Sequence, residues 1–289
     1  MWFTLLNALI AMGMLTAVIA TLIVLAQWWL YVEDDPRVAY VDRMLPQTNC
    51  GGCGYPGCRA FAEALVAGKA TPTRCGVCSA ADHQRIADYL GINASPSIKR
   101  VARLACAGGD NVSISHARYA GLPTCASAAI VAGGGKGCFW GCLGLGDCHR
   151  VCGFNAIAMD SHRLPIVDEQ RCTACGDCVA ACPKDLFSLQ DIENRLWVAC
   201  KSEATGDEIL ADCQVACTAC GRCAADSGGL IKMINNLPVI DSSHKPFNRD
   251  PILRCPTGAI VWIDAQTGPT KGPAATKVFR KTPLPDSAT

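Results

Sequence analysis

Cysteine constrains what this chain can fold into more than any other residue type. The chain has 21 cysteines among 289 residues and a net charge of only +1. A disulfide framework would explain such density in a small secreted domain. This chain, however, is long enough for ordinary cores, has no clear secretion signal and has an odd cysteine count. The near-neutral charge, without a basic block, argues against nucleic-acid binding. We therefore predict metal or cluster ligation in a reducing compartment.

The first 32 residues carry no charged side chain. A helix of this length, rising about 1.5 Å per residue, crosses a hydrocarbon layer of about 30 Å. Aromatic rings that favour the two membrane interfaces stand near its ends, at Trp2, Trp28, Trp29 and Tyr31. A signal peptide is the alternative, but the segment lacks a basic start and its apolar stretch is too long. We expect residues 1–32 to be a transmembrane anchor.

Four cysteines follow the anchor with the spacing C-x2-C-x4-C-x16-C, at Cys50, Cys53, Cys58 and Cys75. Glycines between the first three let the backbone bend around an inorganic core whose sulfurs accept hydrogen bonds from free amides. The segment RAFAEALVAG has helical apolar spacing and can return the chain to the fourth cysteine. Four thiolates also suit structural zinc, but three cysteines within nine residues favour iron–sulfur. We predict a [4Fe–4S] domain over residues 33–92 and a linker over 93–103.

Two further runs of four cysteines begin at residues 138 and 172. The second is C-x2-C-x2-C-x3-C-P, the run of a two-cluster ferredoxin, in which the fourth cysteine ligates the other cluster. The first run is looser, C-x3-C-x5-C-x3-C, and has Gly153 in place of the usual proline. One predicted [4Fe–4S] ligand set is Cys152, Cys172, Cys175 and Cys178. The other is Cys138, Cys142, Cys148 and Cys182. This module is expected at residues 104–193.

The same spacing returns in a third place, where the fourth cysteine is replaced by Ser227. The matching run keeps only its last cysteine and has Lys245, Asn248 and Pro251 at its other positions. By the cross-ligation rule all four lost ligands belong to one cluster. One [4Fe–4S] cluster should therefore survive, held by Cys217, Cys220, Cys223 and Cys255. We predict this module at residues 194–264 and a flexible tail at 265–289, which is rich in Pro, Thr and Lys.

Five cysteines stand outside these four predicted clusters: Cys78, Cys106, Cys125, Cys200 and Cys213. We expect buried, unliganded thiols, which behave as small hydrophobes. Two disulfides, or a fifth cluster held by Cys106, Cys125, Cys200 and Cys213, are the alternatives. Ferredoxin modules are small α+β units, so the expected fold class is α+β, with one transmembrane helix, a four-cysteine domain and tandem bacterial-type ferredoxin modules.

In their order, the apolar anchor, CGGCGYPGC, CLGLGDC, CTACGDCVAACP, CTACGRC and CPTGAI resemble the B subunit of the Rnf electron-transport complex. The resemblance runs from residue 1 to about residue 264. It implies an iron–sulfur subunit that takes electrons from soluble ferredoxin at the cytoplasmic face of a membrane complex that ends on NAD. It also implies partner subunits that carry flavin. The chain departs from the family at Ser227, Lys245, Asn248 and Pro251, and also at Asp110, where a cysteine is expected after CAGG.

Such a chain needs no acid, base or substrate pocket, because closely spaced clusters suffice for electron transfer. We find no dinucleotide-binding fingerprint and no P-loop. Clusters are built in a reducing cytosol, so we expect a single-pass protein of the bacterial inner membrane with its modules on the cytoplasmic side. We predict an electron-transfer subunit of an Rnf-type complex. The alternatives are an electron-transfer anchor of a dehydrogenase or hydrogenase type of complex, and a non-redox zinc-binding interaction protein.

Overall fold

The computed structural model describes residues 2–29, 35–93, 98–241 and 247–276. Tyr31, Lys245 and most of the predicted tail lie outside the described residues. All 21 cysteines lie inside them, and every one is a free thiol.

The chain begins with helix α1, Trp2–Trp29, which is 28 residues long and uncharged throughout. Its described side chains are exposed and do not pack against the rest of the protein. Its threonines Thr16 and Thr21 bond back to the helix, since Thr16 Oγ1 donates to the carbonyl oxygen of Met12 at 3.0 Å and Thr21 Oγ1 to that of Ala17. By length and composition α1 is a candidate membrane span, compatible with the predicted anchor.

The four-cysteine domain is built from three helices and a short 3-10 helix. These are α2 Pro36–Met44, α3 Cys58–Val66, the 3-10 helix Pro72–Arg74 and α4 Ala80–Leu90. Helix α4 begins with a capping box between Ser79 and Asp82 and ends at Gly91 in the left-handed conformation. The core beneath the helices is formed by Val41, Phe61, Leu65 and Ile86. Helix α3 lies between the third and fourth cysteines, as the apolar spacing predicted.

The first ferredoxin module is held by two antiparallel strand pairs. Strand β1 Arg100–Leu104 pairs with β4 Phe187–Asp191, and β2 Ile157–Met159 pairs with β3 Pro165–Val167. Its helices are α5 Cys125–Ile130, α6 Asp147–Arg150 and α7 Asp177–Ala181, with a 3-10 helix at Ala132–Gly135. The predicted linker over residues 93–103 therefore differs from the structure. Its last four residues belong to β1, where Val101 and Ala102 are buried by pairing with β4.

The second module repeats this plan with an extra strand. Strand β6 Ile231–Ile234 pairs with β7 Leu237–Ile240. A separate sheet has the order β5-β8-β9, formed by Leu196–Val198, Ile260–Asp264 and Gly268–Thr270. Its helices are α8 Arg222–Asp226 and α9 Asp250–Leu253, with 3-10 helices at Asp207–Ala211 and Pro273–Thr276. Because β9 pairs with β8, the module continues beyond the predicted boundary at residue 264.

Cysteines form a large part of both module cores. In the first module Cys148, Cys172 and Cys178 are buried in one cluster with Val101, Ile157 and other apolar side chains. In the second, Cys217, Cys223 and Cys255 are buried with Leu196 and Ile260. Such small cores hold few purely apolar contacts, so whatever the cysteines bind contributes to the stability of the modules.

Candidate iron–sulfur sites

The cysteine-bearing loops turn through the left-handed region at equivalent positions. In the first module Ala174 has φ 56° and Gly176 φ 95°, and in the second Ala219 has φ 57° and Gly221 φ 70°. Each loop then leads into a short helix, α7 or α8. The two modules therefore repeat the same backbone course around their first three cysteines.

Site 1 is the cysteine set of the N-terminal domain: Cys50, Cys53, Cys58 and Cys75. The loop is fastened to helix α3 because the N–H of Cys58 donates to Asn49 Oδ1 at 2.8 Å. His83 contacts the carbonyl oxygen of Cys75 through Nε2 at 3.0 Å. The thiol of Cys78 lies beside Cys75, and their hydrogen bond lowers the pKa of Cys75 to about 6 while raising the pKa of Cys78.

Site 2 contains the four cysteines predicted for one ferredoxin cluster: Cys152, Cys172, Cys175 and Cys178. They line a cavity with about 330 Å³ of space free of protein atoms. Two backbone amides point at its sulfurs, since Ala102 donates to Cys172 Sγ at 3.4 Å and Ala156 to Cys152 Sγ at 3.3 Å. Burial, and then the neighbouring thiols, raise the pKa of Cys178 to about 12.

Site 3 contains Cys125, Cys142, Cys148 and Cys182, around a cavity of about 380 Å³. Cys125, the first residue of α5, lies where the spacing rule assigned Cys138. Thr124 fixes the start of α5 because its hydroxyl accepts from the N–H of Ser127 at 3.1 Å. Burial raises the pKa of Cys142 to about 12 and that of Cys148 to about 11.

Site 4 contains Cys138, whose predicted place in site 3 is occupied by Cys125. Cys138 lines a separate cavity of about 320 Å³ together with three cysteines that the spacing left over: Cys106, Cys200 and Cys213. The fifth cluster that the sequence left as an alternative contained Cys125 in place of Cys138. The loose C-x3-C-x5-C spacing of the first run was the available signal, because it leaves Cys138 outside the regular ferredoxin loop.

Site 5 contains the four cysteines predicted for the second module: Cys217, Cys220, Cys223 and Cys255. Its cavity measures about 340 Å³. Cys220 is the only exposed cysteine in the protein, so this site approaches the surface. Burial raises the pKa of Cys217 to about 12 and that of Cys223 to about 11.

The positions with lost cysteines have other roles in the structure. The hydroxyl of Ser227 donates to the carbonyl oxygen of Ala224 at 2.8 Å and accepts from the N–H of Ile231 at 2.9 Å, which ties α8 to β6. Pro251 is fully buried, and Asn248 hydrogen-bonds to Asp250 at 2.8 Å. Of the described positions that lost a cysteine, Ser227 and Pro251 are therefore buried, whereas Asn248 is exposed.

Asp110, where the family resemblance led us to expect a cysteine, forms a surface ion pair. Both of its carboxylate oxygens accept from the guanidinium of Arg163, one of them at 3.0 Å. This hydrogen bonding raises the pKa of Arg163. Asp110 is not among the residues that line sites 2 to 5.

The donor sets fit iron–sulfur clusters. The described residues include no three Cys, His, Asp or Glu side chains close enough to hold one metal ion. At each of sites 2 to 5, four cysteines instead line one shared cavity. A tetrahedral zinc ion holds its four sulfurs about 2.3 Å from one point, whereas a [4Fe–4S] core separates them and accepts amide hydrogen bonds on sulfur.

Comparison with known proteins agrees with this chemistry. A putative Fe–S cluster family model matches residues 45–77, and a 4Fe–4S dicluster domain model matches residues 138–186. The first match contains all four site 1 cysteines and ends before Cys78. The second spans sites 2 and 3 apart from Cys125.

Three curated relatives are informative. The B subunit of the Na(+)-translocating ferredoxin:NAD(+) oxidoreductase complex of Acetobacterium woodii is 41% identical over 186 residues, which cover 64% of this chain and 56% of that protein. The B subunit of the proton-translocating ferredoxin:NAD(+) oxidoreductase complex of Clostridium ljungdahlii is 36% identical over 240 residues, 82% of this chain and 84% of the relative. The B subunit of the ion-translocating oxidoreductase complex of Methanosarcina acetivorans is 32% identical over 257 residues, 89% and 97% of the two chains.

The chain belongs to the family of Rnf B subunits. The predicted resemblance is therefore confirmed, as is the prediction of an iron–sulfur electron-transfer subunit of an Rnf-type complex. Subunits of Rnf complexes are membrane-associated, and α1 is compatible with an anchor in such a subunit. The family-model matches also confirm iron–sulfur clusters as cofactors. The number of clusters and the cysteines that bind each one stay predictions.

Proposed function

We propose that this Rnf-type B subunit accepts electrons from soluble ferredoxin and delivers them to membrane-embedded, flavin-bearing partner subunits. Sites 1, 2, 3 and 5 would each hold one [4Fe–4S] cluster through their four cysteines. A bound cluster supplies one-electron redox chemistry. One electron leaves the reduced ferredoxin and one arrives at the partner subunit, so no bond is made or broken on this chain.

The adjoining arrangement of the sites carries this proposal. The loop of site 1 is in backbone contact with the loop of site 2, because a methyl group on Gly76 would lie 2.2 Å from the carbonyl oxygen of Thr173. Sites 2 and 3 share one core, which contains Cys178 and Cys148. These contacts between neighbouring sites support electron transfer from one site to the next.

The surroundings of the cysteines support a redox role. Backbone amides donate to the sulfurs of Cys172, Cys152 and, at 3.4 Å from Leu186, Cys182. Such hydrogen bonds stabilise negative charge on sulfur, and burial excludes water from the core. Both are factors that set cluster potentials.

The names of the relatives support the proposed donor, partners and location. Two of them belong to ferredoxin:NAD(+) oxidoreductase complexes, one Na(+)-translocating and one proton-translocating. We propose that α1 crosses the bacterial inner membrane once and that all sites lie on its cytoplasmic side. Protease should then digest the modules only in vesicles whose cytoplasmic face is outward, and digestion in intact spheroplasts would contradict this topology.

Metal analysis with a reduction assay tests the function. Full-length protein purified in detergent without oxygen should contain iron and acid-labile sulfide in equal amounts, and reduced ferredoxin should bleach its visible absorbance. Cys175→Ala should lose about four iron atoms, whereas Cys78→Ala should retain all of them because Cys78 belongs to none of the five sites. Zinc in place of iron would overturn the proposal. Clusters that dithionite reduces and ferredoxin does not would refute ferredoxin as the donor.

A further inference from the structure

Site 4 is assembled from both ferredoxin modules. Cys106 and Cys138 come from the first module, and Cys200 and Cys213 come from the second. All four line one cavity of about 320 Å³, and Cys138 and Cys213 are buried. No family model that matches the chain extends to all four of these cysteines.

Backbone pairing brings the two halves of site 4 together without help from the sulfurs. The N–H of Gln214 donates to the carbonyl oxygen of Val112 at 2.8 Å, and the N–H of Ile114 donates to that of Asp212 at 2.9 Å. Ser113 and Cys213 form an antiparallel bridge between these bonds. The protein therefore fixes the position of Cys213 opposite the first module.

Amides are directed at two of the four sulfurs. Cys106 Sγ accepts from the N–H of Gly108 at 3.4 Å and from the N–H of Cys142 at 3.4 Å. Cys200 Sγ accepts from the N–H of Ser202 at 3.4 Å and from the N–H of Cys217 at 3.3 Å. Four donors on two sulfurs match the hydrogen bonding expected around cluster thiolates.

The residues beside the sulfurs include a glycine and a lysine. Gly108 has no side chain to intrude, and a methyl group there would lie 3.0 Å from Cys213 Sγ. Lys136 also lines the cavity, with its ammonium group held by the carbonyl oxygen of Gly108 at 2.6 Å. Its charge partly offsets the negative charge that thiolate ligands bring.

Site 4 lies between sites 3 and 5. Cys142, whose N–H reaches Cys106, is a site 3 cysteine, and Cys217, whose N–H reaches Cys200, is a site 5 cysteine. In each of these two neighbouring sites, the backbone N–H of one cysteine therefore donates directly to a sulfur of site 4.

We infer that Cys106, Cys138, Cys200 and Cys213 hold a fifth [4Fe–4S] cluster that joins the two ferredoxin modules into one electron-transfer path. This inference rests on the proposed function, because it assumes that the other sites hold clusters. With site 4 filled, every cysteine except Cys78 is a ligand, and Cys125 replaces Cys138 at site 3.

Paired substitutions test the inference by iron counting. Wild-type protein should contain about twenty iron atoms and Cys138→Ala about sixteen. Cys138→Ala with Cys213→Ala should also contain about sixteen, because both cysteines serve one cluster. Cys125→Ala with Cys138→Ala should fall to about twelve, because these cysteines serve two. Cys78→Ala is the matched control and should equal wild type.

The outcomes separate the fifth cluster from the function. About sixteen iron atoms in wild type, unchanged by Cys213→Ala, would overturn site 4 and leave the other four clusters in place. Absence of iron from the wild type would overturn both. If the double variants fail to fold, the wild-type count decides. In addition, the electron paramagnetic resonance spectrum of fully reduced Cys213→Ala should lose the magnetic broadening of the site 5 signal, and an unchanged signal would contradict the inference.

Discussion

The substitution Gly76→Ala should leave cluster loading unchanged and slow electron transfer between sites 1 and 2. Gly76 directly follows the last cysteine of site 1, and its methyl group would lie 2.2 Å from the carbonyl oxygen of Thr173 in the loop of site 2. Ordinary contact begins at 3.4 Å, so the two loops would have to separate by about 1.2 Å. The added methyl group and the carbonyl oxygen of Thr173 are both fixed to the backbone, so no side-chain rotation can relieve the contact.

The expected size of the effect follows from this overlap. Overpacking a close contact costs about 1–3 kcal/mol, which weakens the docking of the two domains about 5- to 150-fold. No ligand is removed, so iron and sulfide should equal those of wild type. Electron redistribution between sites 1 and 2 should become slower, because its rate falls steeply with separation.

Rapid-freeze spectroscopy after partial reduction measures that redistribution, and hydrogen exchange of the peptides around residues 50–58 and 171–178 reports the docking. Gly52→Ala should give a smaller effect, since its methyl group would lie 2.8 Å from the Cα atom of Cys175. Gly153→Ala is the matched control, because a methyl group there meets nothing within 4 Å. The reasoning is refuted if Gly76→Ala matches Gly153→Ala in both exchange and transfer rate.

Two further changes probe the modules. Removing iron with a chelator under reducing conditions should abolish the near-ultraviolet circular dichroism of the modules and lower their melting temperature. The reason is that the predicted ligand cysteines form much of the module cores. An unchanged melting temperature would count against this prediction. Ser227→Ala should cost about 1–3 kcal/mol of unfolding free energy by leaving the N–H of Ile231 without its acceptor. Its iron content should stay that of wild type, and a loss of iron on this substitution would mean that Ser227 serves a cluster.

The regular cysteine runs allowed most groupings to be anticipated. Ligands close in sequence share a loop, so Cys172, Cys175 and Cys178 come together whatever surrounds them, and the same holds for the loop that contains Cys217. Cys152 and Cys182 also line the cavities to which the cross-ligation rule assigned them. The rule did not predict that Cys125 lines site 3 in place of Cys138. Cys125 belongs to α5, which lies outside the cysteine run.

The sequence by itself determined the chemistry of this protein: the apolar helix, the abundance of thiols, and the loops whose spacing and left-handed residues suit iron–sulfur cores. Spacing can specify these features because each depends on residues only a few positions apart. Only the tertiary structure decided how the modules meet. Site 4 draws together cysteines as distant as Cys106 and Cys213, and the backbone pairing of Val112 with Gln214 that aligns them involves no motif. Contacts between remote segments depend on the packing of whole modules, which local spacing does not encode.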